Sequence, residues 1–145
     1  MGNALIAKSS TTIDAPVSRV WDALVTPETI KQYMFGTTVV SDWKEGSPIT
    51  WKGEYQGKKY EDKGQVLDIE PGRRLRYSHY SPLAGLPDKP ENYHHVTIEL
   101  QADGPLTHVT LSQDNNADEK AKAHSEKNWS MMLDGLKHYV EDPKG

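Results

Sequence analysis

Hydrophobic and polar positions change their period three times along this chain of 145 residues. The opening stretch "ALIAKSSTTI" alternates loosely, as a half-buried strand does. After "DAP" the period becomes helical. Val17, Val20, Trp21 and Leu24 fall at i, i+3, i+4 and i+7, one apolar face over two turns, with Pro16 at the first helical position, where its missing N–H costs nothing. "TPET" predicts a second short helix with Thr26 as its cap and Pro27 behind it, burying Ile30 and Tyr33 or Met34. From about Thr37 to Asn115 the period is two. "PITWKGE", "EDKGQVLDIE", "RRLRYSHY", "YHHVTIELQ" and "LTHVTLSQ" read as strands, and the turn-rich joints "QGKK", "PG" and "ADGP" make neighbours antiparallel. A long helix from about Ala117 to Val140 closes the chain. One sheet with one apolar face needs a cover, and only that helix is long enough to supply it. The pattern predicts an α+β architecture, a single domain over residues 1–145, with a curved antiparallel sheet around the final helix and two short helices after the first strand.

The final helix raises a question. Trp129, Met132, Leu133, Leu136 and Val140 form a clean apolar stripe, but the same stripe continued upward meets Ala121, His124, Ser125 and Asn128. Facing positions in an antiparallel pair sum to a constant. Centring on the loops puts Leu75 opposite Ile98, Tyr77 opposite Val96 and His79 opposite His94. It also puts Leu100 opposite Thr107, Ile98 opposite Val109, Val96 opposite Leu111 and His94 opposite Gln113. The inner face is then apolar at one end and carries a row of His79, His94 and Gln113 at the other, beneath the polar half of the helix. A buried donor or acceptor left unpaired costs ~1–3 kcal/mol, so such a row implies water, mutual bonding or a ligand. The expected cavity is lined by Trp51, Tyr77, His79, His94, Gln113, Asn128, Trp129 and Met132, with Trp129 and Met132 dividing packed core from pocket. The loop "SPLAGLPDKPEN", residues 81–92, carries Leu83 and Leu86 and is placed at the mouth as a lid.

Charge narrows the partners. A net charge of -4 and the absence of a basic stripe argue against nucleic acid. Cysteine is absent, which excludes disulfides, thiol catalysis and thiolate-ligated zinc. The six histidines lack metal-ligand spacing, and no phosphate-cradling loop or Ser–His–Asp order is visible, so neither a metal, a cofactor nor a catalytic residue is assigned. Glu61, Asp62, Asp68 and Glu70 read as solvated, which leaves no inward carboxylate to orient a histidine. Without a signal-peptide pattern or an apolar run of ~20 residues, the expected location is the cytoplasm.

The stretches "IDAPVSRVWDALVTPETIKQY", "GQVLDIEPGRRLRY", "THVTLSQ" and "NWSMMLDGLKHYV" together resemble the activator of heat shock protein 90 ATPase homologue-like domains, of the START-like (SRPBCC) helix-grip superfamily. The resemblance runs from about Ile6 to Val140 and rests on fold-marking positions rather than catalytic ones. It implies a helix-grip fold, a cavity between sheet and helix, and a small hydrophobic or amphipathic ligand, with the protein acting as carrier or sensor. Two alternatives stand beside it: a cyclase or dehydratase-type enzyme using the same cavity, for which His79 or His94 has the imidazole chemistry of a general base, and a chaperone-interacting or stress-response module. The chaperone activators carry an additional N-terminal chaperone-binding domain that is not expected here. Tyr33 stands where many relatives carry Trp.

Overall fold

The computed structural model describes residues 5–34, 36–55, 57–81, 87–116 and 118–141. Strand β1 (Ala7–Ile13) leads into helices α1 (Val17–Val25) and α2 (Pro27–Tyr33). Strands β2 (Thr38–Ser41), β3 (Pro48–Tyr55), β4 (Lys58–Glu70), β5 (Arg74–His79), β6 (His94–Asp103) and β7 (Leu106–Gln113) follow, and helix α3 (Glu119–Glu141) closes the fold. All seven strands form one antiparallel sheet in the order β1-β7-β6-β5-β4-β3-β2. The sheet curves around α3, giving the α+β helix-grip fold that the sequence pattern predicts.

The element ends follow local chemistry. Pro16 sits one position outside α1, with extended ψ, and its carbonyl accepts from the N–H groups of Arg19 and Val20. Thr26 occupies the cap position of α2, but its side chain makes no capping bond. The predicted start of α3 at Ala117 lies outside the described residues; Asp118 caps the observed helix, its Oδ1 accepting from Ala121 N at 2.8 Å.

Register is right on one side of β6 and shifted on the other. Leu75↔Ile98, Tyr77↔Val96 and His79↔His94 pair as the sequence predicts. Between β6 and β7 the pairs are Val96↔Gln113, Ile98↔Leu111 and Leu100↔Val109, two residues away from the predicted register. The cause is the turn. Asp103 pairs with Leu106, so the connection is only Gly104–Pro105, and Gly104 takes the φ of 59° that the first position of such a tight hairpin demands. An even shift keeps every side chain on its face. It moves Gln113 off His94 and opposite Val96.

The core explains the half-striped helix. Met132, Leu133, Leu136 and Val140 are buried among Ile13, Val20, Ile49, Val66, Ile98 and Leu111. At ~1.5–3 kcal/mol for each large buried side chain, these four anchor α3. Above Trp129 the helix buries none and is held by polar ties instead: Lys8 N donates to Glu126 Oε2 at 3.0 Å and Ser125 Oγ donates to Asn116 Oδ1 at 2.9 Å, while just below it the Ser9 and Ser130 hydroxyls meet at 2.8 Å. Asn116 Nδ2 in turn donates to the carbonyls of Gln113 and Leu5, fixing the chain between β7 and α3.

Candidate functional site

Two voids lie between α3 and the sheet, and they differ greatly in size. The inner one is about 30 Å³, bounded by Leu24, Tyr33, Trp51, Tyr77 and Ile98 among others, with room for a water molecule or two and no ligand. The outer one is a cleft of about 700 Å³ beneath the upper half of α3. Met34 and Met132 border both, so this methionine pair divides core from cleft; the sequence reading gave that place to Trp129 and Met132. Trp129, Met131 and Met132 form the apolar side of the cleft, Ser125 and Asn128 continue the helical wall, and Glu54, Tyr60 and Gln113 supply the sheet side.

The eight predicted residues therefore separate. Gln113, Asn128, Trp129 and Met132 line the cleft. Trp51 and Tyr77 face the small inner void. His79 and His94 are in the wall of neither, but occupy the inner face on β5 and β6, the strands between β4, which carries Tyr60, and β7, which carries Gln113. The predicted row is thus broken after His94, since Gln113 has moved opposite Val96. Gln113 is buried and accepts a 2.6 Å bond on Oε1 from the Trp129 indole N–H, locking the ring against the sheet.

Asp62 corrects the sequence reading. It pairs with Trp51 on β3, so it points inward rather than into solvent, and its Oδ2 stands 3.0 Å from His79 Nε2. Gly64 makes this possible: a Cβ there would drive into the Ser78 carbonyl, so β4 approaches β5 more closely than any side chain permits. Trp51 packs edge-on against His79 with ring centroids 4.9 Å apart and lies 5.2 Å from Tyr77. His79 and His94 rings are 6.3 Å apart, and His94 Nδ1 lies 3.0 Å from the Asp114 carbonyl oxygen. Burial pushes the Tyr33 and Tyr77 hydroxyls far above the ordinary phenol range, and Tyr33 donates to Ala23 O at 2.9 Å.

The signal for Asp62 and Tyr60 was present in the sequence. Hairpin arithmetic across the β3–β4 turn pairs Trp51 with Asp62 and Gly53 with Tyr60. Gly53 leaves space for the Tyr60 ring, whose hydroxyl meets Thr37 Oγ1 at 2.7 Å. Met34, Met131 and Asn116 offered no comparable pattern.

The 81–92 loop is only partly described, and Leu83 and Leu86 lie outside the described residues. Its remainder is fastened to the outer face of the sheet: Asp88 forms an ion pair with Lys63 and accepts from the Tyr93 hydroxyl at 2.7 Å, and Tyr93 stacks on Tyr80. That part covers no inner cleft. On the same outer face His95 Nδ1 lies 2.9 Å from Asp114 Oδ2, with Ser78 directly across the ladder. Among the described residues no three His, Asp or Glu side chains converge as a metal site requires, and no helix is long and apolar enough to cross a membrane.

The family model described as "Activator of Hsp90 ATPase homolog 1-like protein" matches residues 14–141. The chain belongs to that family. This member is 59% identical to ChR145 from Cytophaga hutchinsonii, whose solution structure superposes with a TM-score of 0.86 over 98% of this chain and 97% of that one. It shares its fold at 20% identity and TM-score 0.75 with the Aha1 dimer from Colwellia psychrerythraea, covering 97% of this chain and 98% of that one. CalU16 from Micromonospora echinospora matches at 23% identity and TM-score 0.72, over 96% of this chain and 85% of that one. No curated protein matches the chain in sequence.

Proposed function

We propose that this family member binds a small hydrophobic or amphipathic molecule in the cleft between sheet and α3, as a carrier or sensor. The observation that carries this reading is the cleft itself. Its volume of about 700 Å³ is within the range of small-molecule sites, ~300–1,000 Å³. Its walls join one indole and three thioethers to a few polar groups. Methionine has a flexible, polarisable side chain that adapts to varied apolar shapes. Gln113, Asn128, Trp129 and Met132 make direct contact in this reading, while Trp51 and Tyr77 lie beyond the Met34–Met132 divider and His79 and His94 stand outside both walls.

Native mass spectrometry of the purified protein tests it by looking for a retained small molecule. A hydrophobic fluorophore should also bind at one equivalent and quench tryptophan emission. Asn128→Trp, which fills the cleft from an exposed position, should abolish that binding and leave the melting temperature in place. Unchanged binding in Asn128→Trp would sink the reading.

The Asp62–His79 bond favours a second reading, a cyclase or dehydratase-type enzyme with His79 as base, because a carboxylate is what orients an imidazole for proton transfer. Turnover of an added substrate lost in His79→Gln would separate this from simple carriage. A chaperone-binding role rests on the family's description alone.

A further inference from the structure

The outer face of the sheet carries a groove of its own, about 440 Å³ in volume, with Lys63, Leu67, Ser78, Asp88, Tyr93 and His95 in its wall. Strand register assembles a set of side chains there. β6 lies between β5 and β7; Ser78 on β5 stands directly opposite His95 on β6, and Asp114 follows the end of β7. Asp114 grips His95 twice: Oδ1 accepts from the His95 backbone N–H at 2.6 Å, and Oδ2 lies 2.9 Å from Nδ1. An ionised carboxylate cannot donate, so Nδ1 carries the proton and Nε2 is the basic nitrogen of the neutral ring. Ser78 Oγ accepts from the Gln65 backbone N–H at 3.0 Å, which leaves its own O–H proton to be given away. The Ser78 and His95 side chains do not bond one another in this structure. Directly opposite residues start from Cβ atoms about 4.5–5.5 Å apart, however, and catalytic bonds of this kind tighten when substrate arrives. No spacing motif marks the three residues, and only the ladder brings them together.

We propose that the outer groove is an acyl-transfer site for short esters, with Ser78 as nucleophile, His95 as general base and Asp114 as the positioning residue that fixes the imidazole tautomer. This is independent of the cleft beneath α3. Ser78 Oγ bonds to the ester carbonyl carbon while its proton passes to His95 Nε2. The bond to the alcohol oxygen then breaks, and that oxygen leaves with the proton from Nε2, giving an acyl-serine and a free alcohol. Water adds to the acyl carbon by the same route, its proton passing through Nε2 to the departing Ser78 Oγ, and a carboxylic acid is released. Lys63, paired with Asp88 in the same wall, brings positive charge for the oxyanion. The volume and the Leu67 and Tyr93 surfaces suit a short acyl or aryl group.

The test is covalent labelling with diisopropyl fluorophosphate at about pH 8, where imidazole is neutral, followed by intact mass and peptide mapping. One equivalent should attach, at Ser78, and Ser78→Ala should remove it. That variant also takes the acceptor from Gln65 N–H, so His95→Gln serves as the second arm: it leaves the Ser78–Gln65 bond in place and should slow labelling about a hundredfold, the lower end of what a general base contributes. Hydrolysis of p-nitrophenyl acetate gives the readout for Asp114. In Asp114→Asn the carboxamide can donate to Nδ1, which moves the ring proton to Nε2 and removes the base, so kcat should fall about a hundredfold with KM unmoved. An unlabelled Ser78 overturns the proposal, as does labelling of Ser78 at full rate in His95→Gln or an unchanged kcat in Asp114→Asn. Ser78 would then serve only to satisfy Gln65 N–H.

Discussion

Gly64 and Asp62 together decide where the His79 ring can point. Any Cβ at position 64 meets the Ser78 backbone, which has no rotamer to yield. Gly64→Ala should therefore separate β4 from β5 locally, cost at least ~2 kcal/mol in a denaturant melt, and loosen the Asp62–His79 bond. A neutral result would mean that the close approach is not needed. Trp129 and Gln113 allow a milder test. Trp129→Phe keeps an aromatic ring but removes the only donor given to Gln113 Oε1 among the described residues, and should cost ~1 kcal/mol. A loss of several times that would mean Gln113 is sealed from cleft water. At this scale the sequence was legible by face and illegible by partner. Period-two alternation placed His79, His94 and Gln113 inward correctly. Asp62 belongs to the same face by hairpin register with Trp51, a signal masked by the charged run "KKYEDK" around it.

Helix α3 is two helices in energetic terms. Its lower half is anchored by apolar burial and its upper half by polar ties alone, and side chains from both halves reach the edge of β1. Glu126 accepts from Lys8 N, Glu141 accepts from Asp14 N and from the Lys137 ammonium, and Lys137 also reaches Thr12 O at 2.7 Å. The Lys8 N–H bond holds the Glu126 carboxyl below the ordinary glutamate range, and the Lys137 ammonium followed by the Asp14 N–H does the same for Glu141. A carboxyl depressed in the folded state contributes stability that is complete above its unfolded value, about pH 4.5, and is lost as pH falls through the lower folded value. Melting temperature should therefore drop on acidification from about pH 4.5 to about pH 3. The Glu126→Gln/Glu141→Gln variant should show a shallower drop, since a carboxamide oxygen still accepts but no longer titrates. Equal slopes would remove these carboxylates from the acid response. The fading of the apolar stripe at Ser125 and Ala121 was readable in advance, and it marked the roof of the cleft. The β6–β7 register was not, because "ADGP" allows two loop centres and only the φ of Gly104 selects between them.

Across the whole molecule, the hairpin neighbours and the wrap of the sheet around α3 followed from alternation, turn chemistry and the need to cover one apolar face, whereas strand β2 and the pairing of β1 with β7 were not foreseen. The division into a small inner void and a large cleft did not, since it depends on Met34 and Met132, from sequence-distant elements, bordering both. The two margins of the sheet are also unlike. β1 exposes an edge whose backbone groups at Lys8, Thr12 and Asp14 are already engaged by α3 side chains. β2, at the opposite margin, is only Thr38–Ser41, with Val40 exposed and no helix side chain bonded to its backbone among the described residues. A strand margin that is free offers a template, and one that is occupied does not. Among the described residues, β2 is thus the margin left open to another backbone. Two copies meeting there would use up both of these margins at once, so growth along the sheet through β2 ends at a pair. Sedimentation at rising concentration should accordingly show nothing larger than a dimer, and Val40→Lys should push even that pair apart.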